Sequence, residues 1–164
     1  MKQRSAIEEL LARGRASLDR VEPEHLADEV AAGAIPIDIC PLEQRQRGGE
    51  LPGAIIIDRN VLRWRLDPTS PDQLPVAADA DIRYVLVCNE GYSSRLAAAT
   101  LRELGLHRAT DLVGGFQALL AMLRRTNARP TNAGAARTHS QPMLSPMSTY
   151  SVLPPEVGML TIIA

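Results

Sequence analysis

The stretch from Tyr84 to Arg95, Y-V-L-V-C-N-E-G-Y-S-S-R, constrains this chain more than any other. Ile82, Val85, Leu86 and Val87 form an apolar run that reads as a strand buried on both faces, the pattern of a parallel sheet. The run stops at Cys88, and a short glycine-containing loop opens into a second pattern. Leu96, Ala97, Ala99, Thr100, Leu101 and Leu104 repeat at helical spacing up to Gly105, with Ser93 or Ser94 expected as the cap. Cys88 is therefore predicted at the carboxyl end of a strand, facing the amino end of a helix. Free backbone N–H groups and the helix dipole point at its sulfur there, and both favour the thiolate, the nucleophilic form. A free cysteine is more often a small buried hydrophobe. Open α/β sheets, however, bind ligands outside the carboxyl ends of their strands, so this position predicts a reactive one.

Strand and helix patterns alternate around this stretch. Ser5 and Glu8 have the spacing of a capping box, and Ile7, Leu10, Leu11 and Leu18 are expected to share one face of an amino-terminal helix packed on the domain. Val21 to Pro23 reads as a short strand or entry turn, Glu24 to Ala32 as a helix stopped by Gly33, and Ile35 to Ile39 as a strand carrying Asp38. The loop G-G-E-L-P-G leads into a strand at Ala54 to Ile57, and Asn60 to Leu66 reads as a helix ended by Asp67-Pro68. Thr69 to Asp81 is a connection rich in Pro, Asp and Ala. Ala109 to Val113 is a further strand, Gly114-Gly115 a tight turn, and Phe116 to Arg125 a last helix. Such alternation implies an α/β domain of three layers, a central parallel sheet with helices on both faces.

With 164 residues and 45% hydrophobic content, the chain is large enough for one globular domain with an appendage. Its net charge of −1 gives no basic excess to attract nucleic acid or an anionic membrane. Two cysteines cannot make a disulfide framework, and no Cys/His cluster has metal-binding spacing, so neither metal nor cofactor is expected. The amino terminus lacks the apolar core of a secretion signal, and no apolar segment approaches the ~20 residues that span a bilayer. A cytoplasmic protein is the expectation. Residues 1–20 are read as the amphipathic helical extension, 21–125 as the domain and 126–164 as a low-complexity tail; 126–150 are too poor in apolar residues to offset the entropy of ordering, and the last residues, V-G-M-L-T-I-I-A, are apolar but too short to cross a membrane.

At this point the landmarks carry a family resemblance. Asp38 at the end of a strand, G-E-L-P-G-A over Gly49 to Ala54, C-N-E-G-Y-S-S from Cys88, and L-V-G-G-F over Leu112 to Phe116 stand in the order found in single-domain rhodanese-like sulfurtransferases, and the chain from about Val21 to Arg125 resembles that family. The resemblance implies a rhodanese-like fold and a Cys88 persulfide, charged by a small sulfur donor such as thiosulfate and discharged to cyanide, a thiol or a protein acceptor. Asn89, Glu90, Gly91, Tyr92, Ser93 and Ser94 would form the persulfide-binding loop, with Gly91 allowing the loop to close around one sulfur.

Several positions depart from the family pattern. Glu90 puts a negative charge where the family often has a basic or neutral residue, which opposes an anionic donor; Arg59, Arg63, Arg65 and Arg95 are candidates to offset it, with Arg59 and Arg95 as possible anion-binding residues. Cys40 stands where the family usually has Arg, and is a candidate resolving thiol if the strand ending near it lies beside the Cys88 strand. The usual Trp after the Gly-Gly turn is replaced around Leu119. Two other function classes stay open. A Cys-dependent phosphatase or arsenate reductase shares the fold, but its Cys and Arg enclose five residues whereas Cys88 and Arg95 enclose six. A binding or sulfur-relay module without turnover is the other, and Glu90 is its best argument.

Overall fold

The computed structural model describes residues 4–127. Its sheet has four parallel strands, β1 (Ile35–Asp38), β2 (Ile55–Ile56), β3 (Tyr84–Val87) and β4 (Thr110–Asp111), in the order β2-β1-β3-β4. Six helices accompany them: α1 (Ala6–Ser17), α2 (Leu26–Ala31), α3 (Leu42–Gly48), α4 (Leu62–Leu66), α5 (Ser93–Glu103) and α6 (Gly115–Asn127). This is the three-layer arrangement expected.

Period-two alternation along β3 divides the core. Tyr84, Leu86 and Cys88 face α4 and α5, in a cluster with Ile37, Ile39, Leu62, Leu66, Ala98 and Leu101. Val85 and Val87 face the opposite way, against Leu26, Leu112, Phe116 and Leu119. The strand is buried throughout, which is why its sequence is continuously apolar. The same alternation aims the Cys88 side chain at the start of α5.

Pro36 occupies a central strand, where the missing N–H would ordinarily break the ladder. The β1–β2 pairing begins only at Ile37, opposite Ile55, and the neighbouring Ile35 N–H bonds the Arg83 carbonyl on the β3 side. The proline nitrogen thus faces the side where no ladder bond is required.

Three local expectations need correction, and one helix was not expected. The capping box at Ser5 and Glu8 forms, but Ile7 and Leu10 are exposed. Helix α1 instead meets α5 through Gly14, where an added Cβ would stand 3.2 Å from Arg95 Cγ, and Leu18 reaches the core from just beyond the helix. A small residue, not a leucine stripe, sets that contact. Glu24 to Ala32 divides into a 3-10 turn at Pro23–His25 and the shorter α2. Ser93 and Ser94 lie inside α5, which starts from Tyr92 without a side-chain cap. Helix α3 has no counterpart in the sequence reading: L-E-Q-R-Q-R-G holds one large apolar residue, Leu42, and that residue is exposed.

Helix α6 runs two residues past Arg125. The rest of the expected tail, 128–164, lies outside the described residues. Among the described residues no helix is long and apolar enough to cross a membrane.

Candidate active site

Cys88 follows the last residue of β3 and is nearly buried, with 7% exposure. Two N–H groups and a hydroxyl converge on its Sγ. The Gly91 N–H donates at 3.2 Å and the Ser94 N–H at 3.3 Å, and Ser94 Oγ lies at 3.2 Å, where the thiol or the hydroxyl can be the donor. Because Ser94 is the second residue of α5, its N–H is one of the donors that no helical carbonyl can satisfy. The predicted cap residue therefore binds the sulfur instead of its own helix.

Glycine backbones hold this loop closed. Gly91 has φ +78°, and a Cβ there would strike the Gly114 nitrogen at 2.8 Å. Gly115, at φ +62°, packs against the Cys88 carbonyl, which a Cβ would approach to 2.2 Å. The close approach lets Phe116 N–H donate to the Cys88 carbonyl at 2.9 Å and Gln117 N–H to the Asn89 carbonyl at 3.0 Å. The Gly-Gly turn thus fixes the backbone on both sides of the nucleophile. Gln117 adds a side-chain bond to Asn89 Oδ1 at 2.9 Å.

In front of Cys88 lies an open cavity of about 320 Å³, lined by Ile39, Pro41, Gln44, Asn89, Glu90, Tyr92 and Ser93. Among the described residues no Arg, Lys or His lines it. Glu90 is the charged group at its edge. Arg59 lines a different cleft, with Leu10, Arg13 and Thr100. Arg95 is buried against Gly14. The structure brings Cys88 together with residues 89–94 and leaves both candidate arginines outside the pocket. Sequence reasoning missed Gln44, Pro41 and Gln117, because the first two belong to the undetected α3 and its entry, and the third reaches the loop only through the Gly-Gly turn.

Cys40 continues the chain just beyond the Asp38–Val87 pair, so the two cysteines end adjacent strands, and both are free. Burial, then its hydrogen bond to Asp38 and that carboxylate's charge, push the Cys40 thiol up to about 12. Its own N–H also binds Asp38 Oδ1, at 2.8 Å. A thiol so held is a poor nucleophile at neutral pH.

A sequence model of the rhodanese-like domain matches residues 22–122. The chain belongs to the rhodanese-like family. Among solved structures, a Rhodopseudomonas palustris protein of unknown function, described as a possible tyrosine phosphatase, is 28% identical over 74% of this chain and 96% of its own, with a TM-score of 0.65. A thiosulfate sulfurtransferase from Pseudomonas aeruginosa is 26% identical over 64% of this chain and 18% of its own length, at a TM-score of 0.51. A human single-domain sulfurtransferase, 23% identical, shares the fold over 62% of this chain and 95% of its own at a TM-score of 0.51. No curated protein matches the chain in sequence. The rhodanese-like match supports a protein of the sulfurtransferase kind.

Proposed function

We propose that this protein moves sulfane sulfur from thiosulfate or a persulfide to a thiophilic acceptor through a persulfide on Cys88. The convergence of two N–H groups and the Ser94 hydroxyl on Sγ carries the reading, because all three can donate to a thiolate. Donors fixed before the reaction stabilise the attacking thiolate, and its return as leaving group, without reorganising. In the first half-reaction the Cys88 thiolate attacks the outer sulfur of thiosulfate. A sulfur–sulfur bond to Cys88 forms, the donor's own breaks, and sulfite leaves with the electron pair. A persulfide donor releases a thiolate in the same way. In the second half, cyanide or an acceptor thiolate takes the terminal sulfur and Cys88 departs as thiolate.

The likeness to a possible tyrosine phosphatase gives a second reading. A Cys-dependent phosphatase needs a cation for the phosphoryl oxygens. Among the described residues none lines the Cys88 pocket, and Arg95 packs beneath Gly14 instead.

Intact mass after exposure to thiosulfate or glutathione persulfide tests the proposal. The wild type should gain one sulfur atom and lose it to cyanide, while Cys88→Ser should fold and gain none. Retention of the sulfur against cyanide and thiols would favour a relay module. Hydrolysis of p-nitrophenyl phosphate without sulfur uptake would overturn the sulfurtransferase reading.

A further inference from the structure

Arg95 is 6% exposed, yet its guanidinium makes no hydrogen bond or ion pair among the described residues, and its Nε is fully enclosed. Gly14 seals it in: the Cβ of any other residue there would meet Arg95 Cγ at 3.2 Å and Cδ at 3.5 Å. Two further arginines, Arg15 and Arg20, lie within electrostatic reach, as do Asp111 and Tyr92. Asp111 is already occupied. Arg20 Nε and Nη2 grip its carboxylate at 2.7 and 2.9 Å. Nearby Asp19 is taken by Arg83 at 2.8 Å and Arg102 at 3.5 Å.

Burying a charge is costly unless it is paired and hydrogen-bonded. Three guanidinium groups against one carboxylate leave two positive charges in excess at this corner. Burial first, and the neighbouring Arg20 second, push the Arg95 guanidinium below the ordinary arginine range, while Asp111 pulls the other way. Of the Arg95 nitrogens only Nε is fully enclosed, so Nη1 and Nη2 stay open, and without a partner among the described residues, to a ligand from solvent. Planar guanidinium groups are well suited to bidentate contact with oxyanions.

We propose that Arg95, Arg20 and Arg15 form a binding site for a dianionic tetrahedral oxyanion of the phosphate or sulfate type, separate from the Cys88 pocket, which none of them lines. Tyr92 connects the two places, because it lines the Cys88 pocket and lies within electrostatic reach of Arg95. The site does not depend on the sulfur chemistry proposed above.

The test titrates inorganic phosphate, and in a second arm glycerol phosphate, into the Cys88→Ser protein, following thermal unfolding and binding heat against chloride at matched ionic strength. A melting temperature that keeps rising with the logarithm of phosphate concentration, with one site per chain, is expected. Arg95→Met should abolish that rise, and the exposed Arg15→Gln should weaken it without threatening the fold. A stronger response to glycerol phosphate would identify an ester as the ligand, and a stronger one to phosphate a free oxyanion. An equal rise in Cys88→Ser with and without Arg95→Met, or no rise beyond chloride, would overturn the proposal.

Discussion

Replacing Gly115 by alanine should show how strictly the Gly-Gly turn holds the nucleophile. The new Cβ would stand 2.2 Å from the Cys88 carbonyl oxygen, 2.6 Å from the Gly91 nitrogen and 2.8 Å from the Asn89 carbonyl oxygen, all of them backbone atoms. Restoring an ordinary contact requires the Cys88 carbonyl to retreat by about 1 Å. The positive φ costs an alanine about 1 kcal/mol, and relieving an overpacked site typically costs ~1–3 kcal/mol more. Together they remove about 2–4 kcal/mol from a domain whose whole stability is of order 5–15 kcal/mol. Gly33→Ala is the matched control, since Gly33 has φ +97° but nothing within 4 Å of its Cβ position. Urea unfolding of both variants separates contact from backbone strain. The displaced group belongs to Cys88 itself, so sulfur uptake should also fall on the order of 100-fold in Gly115→Ala and stay near wild type in Gly33→Ala. If the two variants unfold at the same midpoint and react equally fast, the turn does not position the cysteine.

Glu90→Lys should raise the rate with thiosulfate several-fold at low salt, where the ~30 Å Debye length leaves charges unscreened, and less at high salt; an identical rate at every ionic strength would show that Glu90 does not face the donor. Cys40 and Tyr84 are both pushed up to about 12 in the folded protein, chiefly by burial, from ordinary values of 9.0 and 10.0. The unfolded chain loses these protons first, so stability should be intact below pH 9 and decline from pH 9 to 12, as measured by urea unfolding. Tyr84→Phe should flatten the upper part of that decline and, because the tyrosine hydroxyl is buried without a partner among the described residues, add about 1 kcal/mol at neutral pH; a loss of stability would reveal a hidden partner. A resolving role for Cys40 requires it to ionise, which its surroundings oppose. Persulfide lifetimes at neutral pH should therefore be equal in wild type and Cys40→Ser, and a Cys40–Cys88 crosslinked peptide after mild oxidation would contradict this.

The fold was legible in this sequence because its signals are local and repeated. The run through Val87 could pack only as a doubly buried strand, Gly105 and Gly114-Gly115 marked the turns, and the order of Asp38, the Gly49–Ala54 segment and Cys88 carried the family. The placement of Cys88 before a helix followed from the same periodicity. What the chain could not state locally was which way its long side chains turn. Arg95 stands seven residues from Cys88 and looks like an anion ligand for it, but the helical path of α5 carries it under Gly14, toward Arg20 and Asp111. Ser94 looks like a helix cap and binds the sulfur instead. Helix α3 has no apolar face to announce it, so Gln44 joins the pocket unforeseen. Local periodicity determines elements and their order, whereas the direction of a charged side chain depends on which distant residue is small enough to admit it or charged enough to hold it, and that only tertiary packing decides.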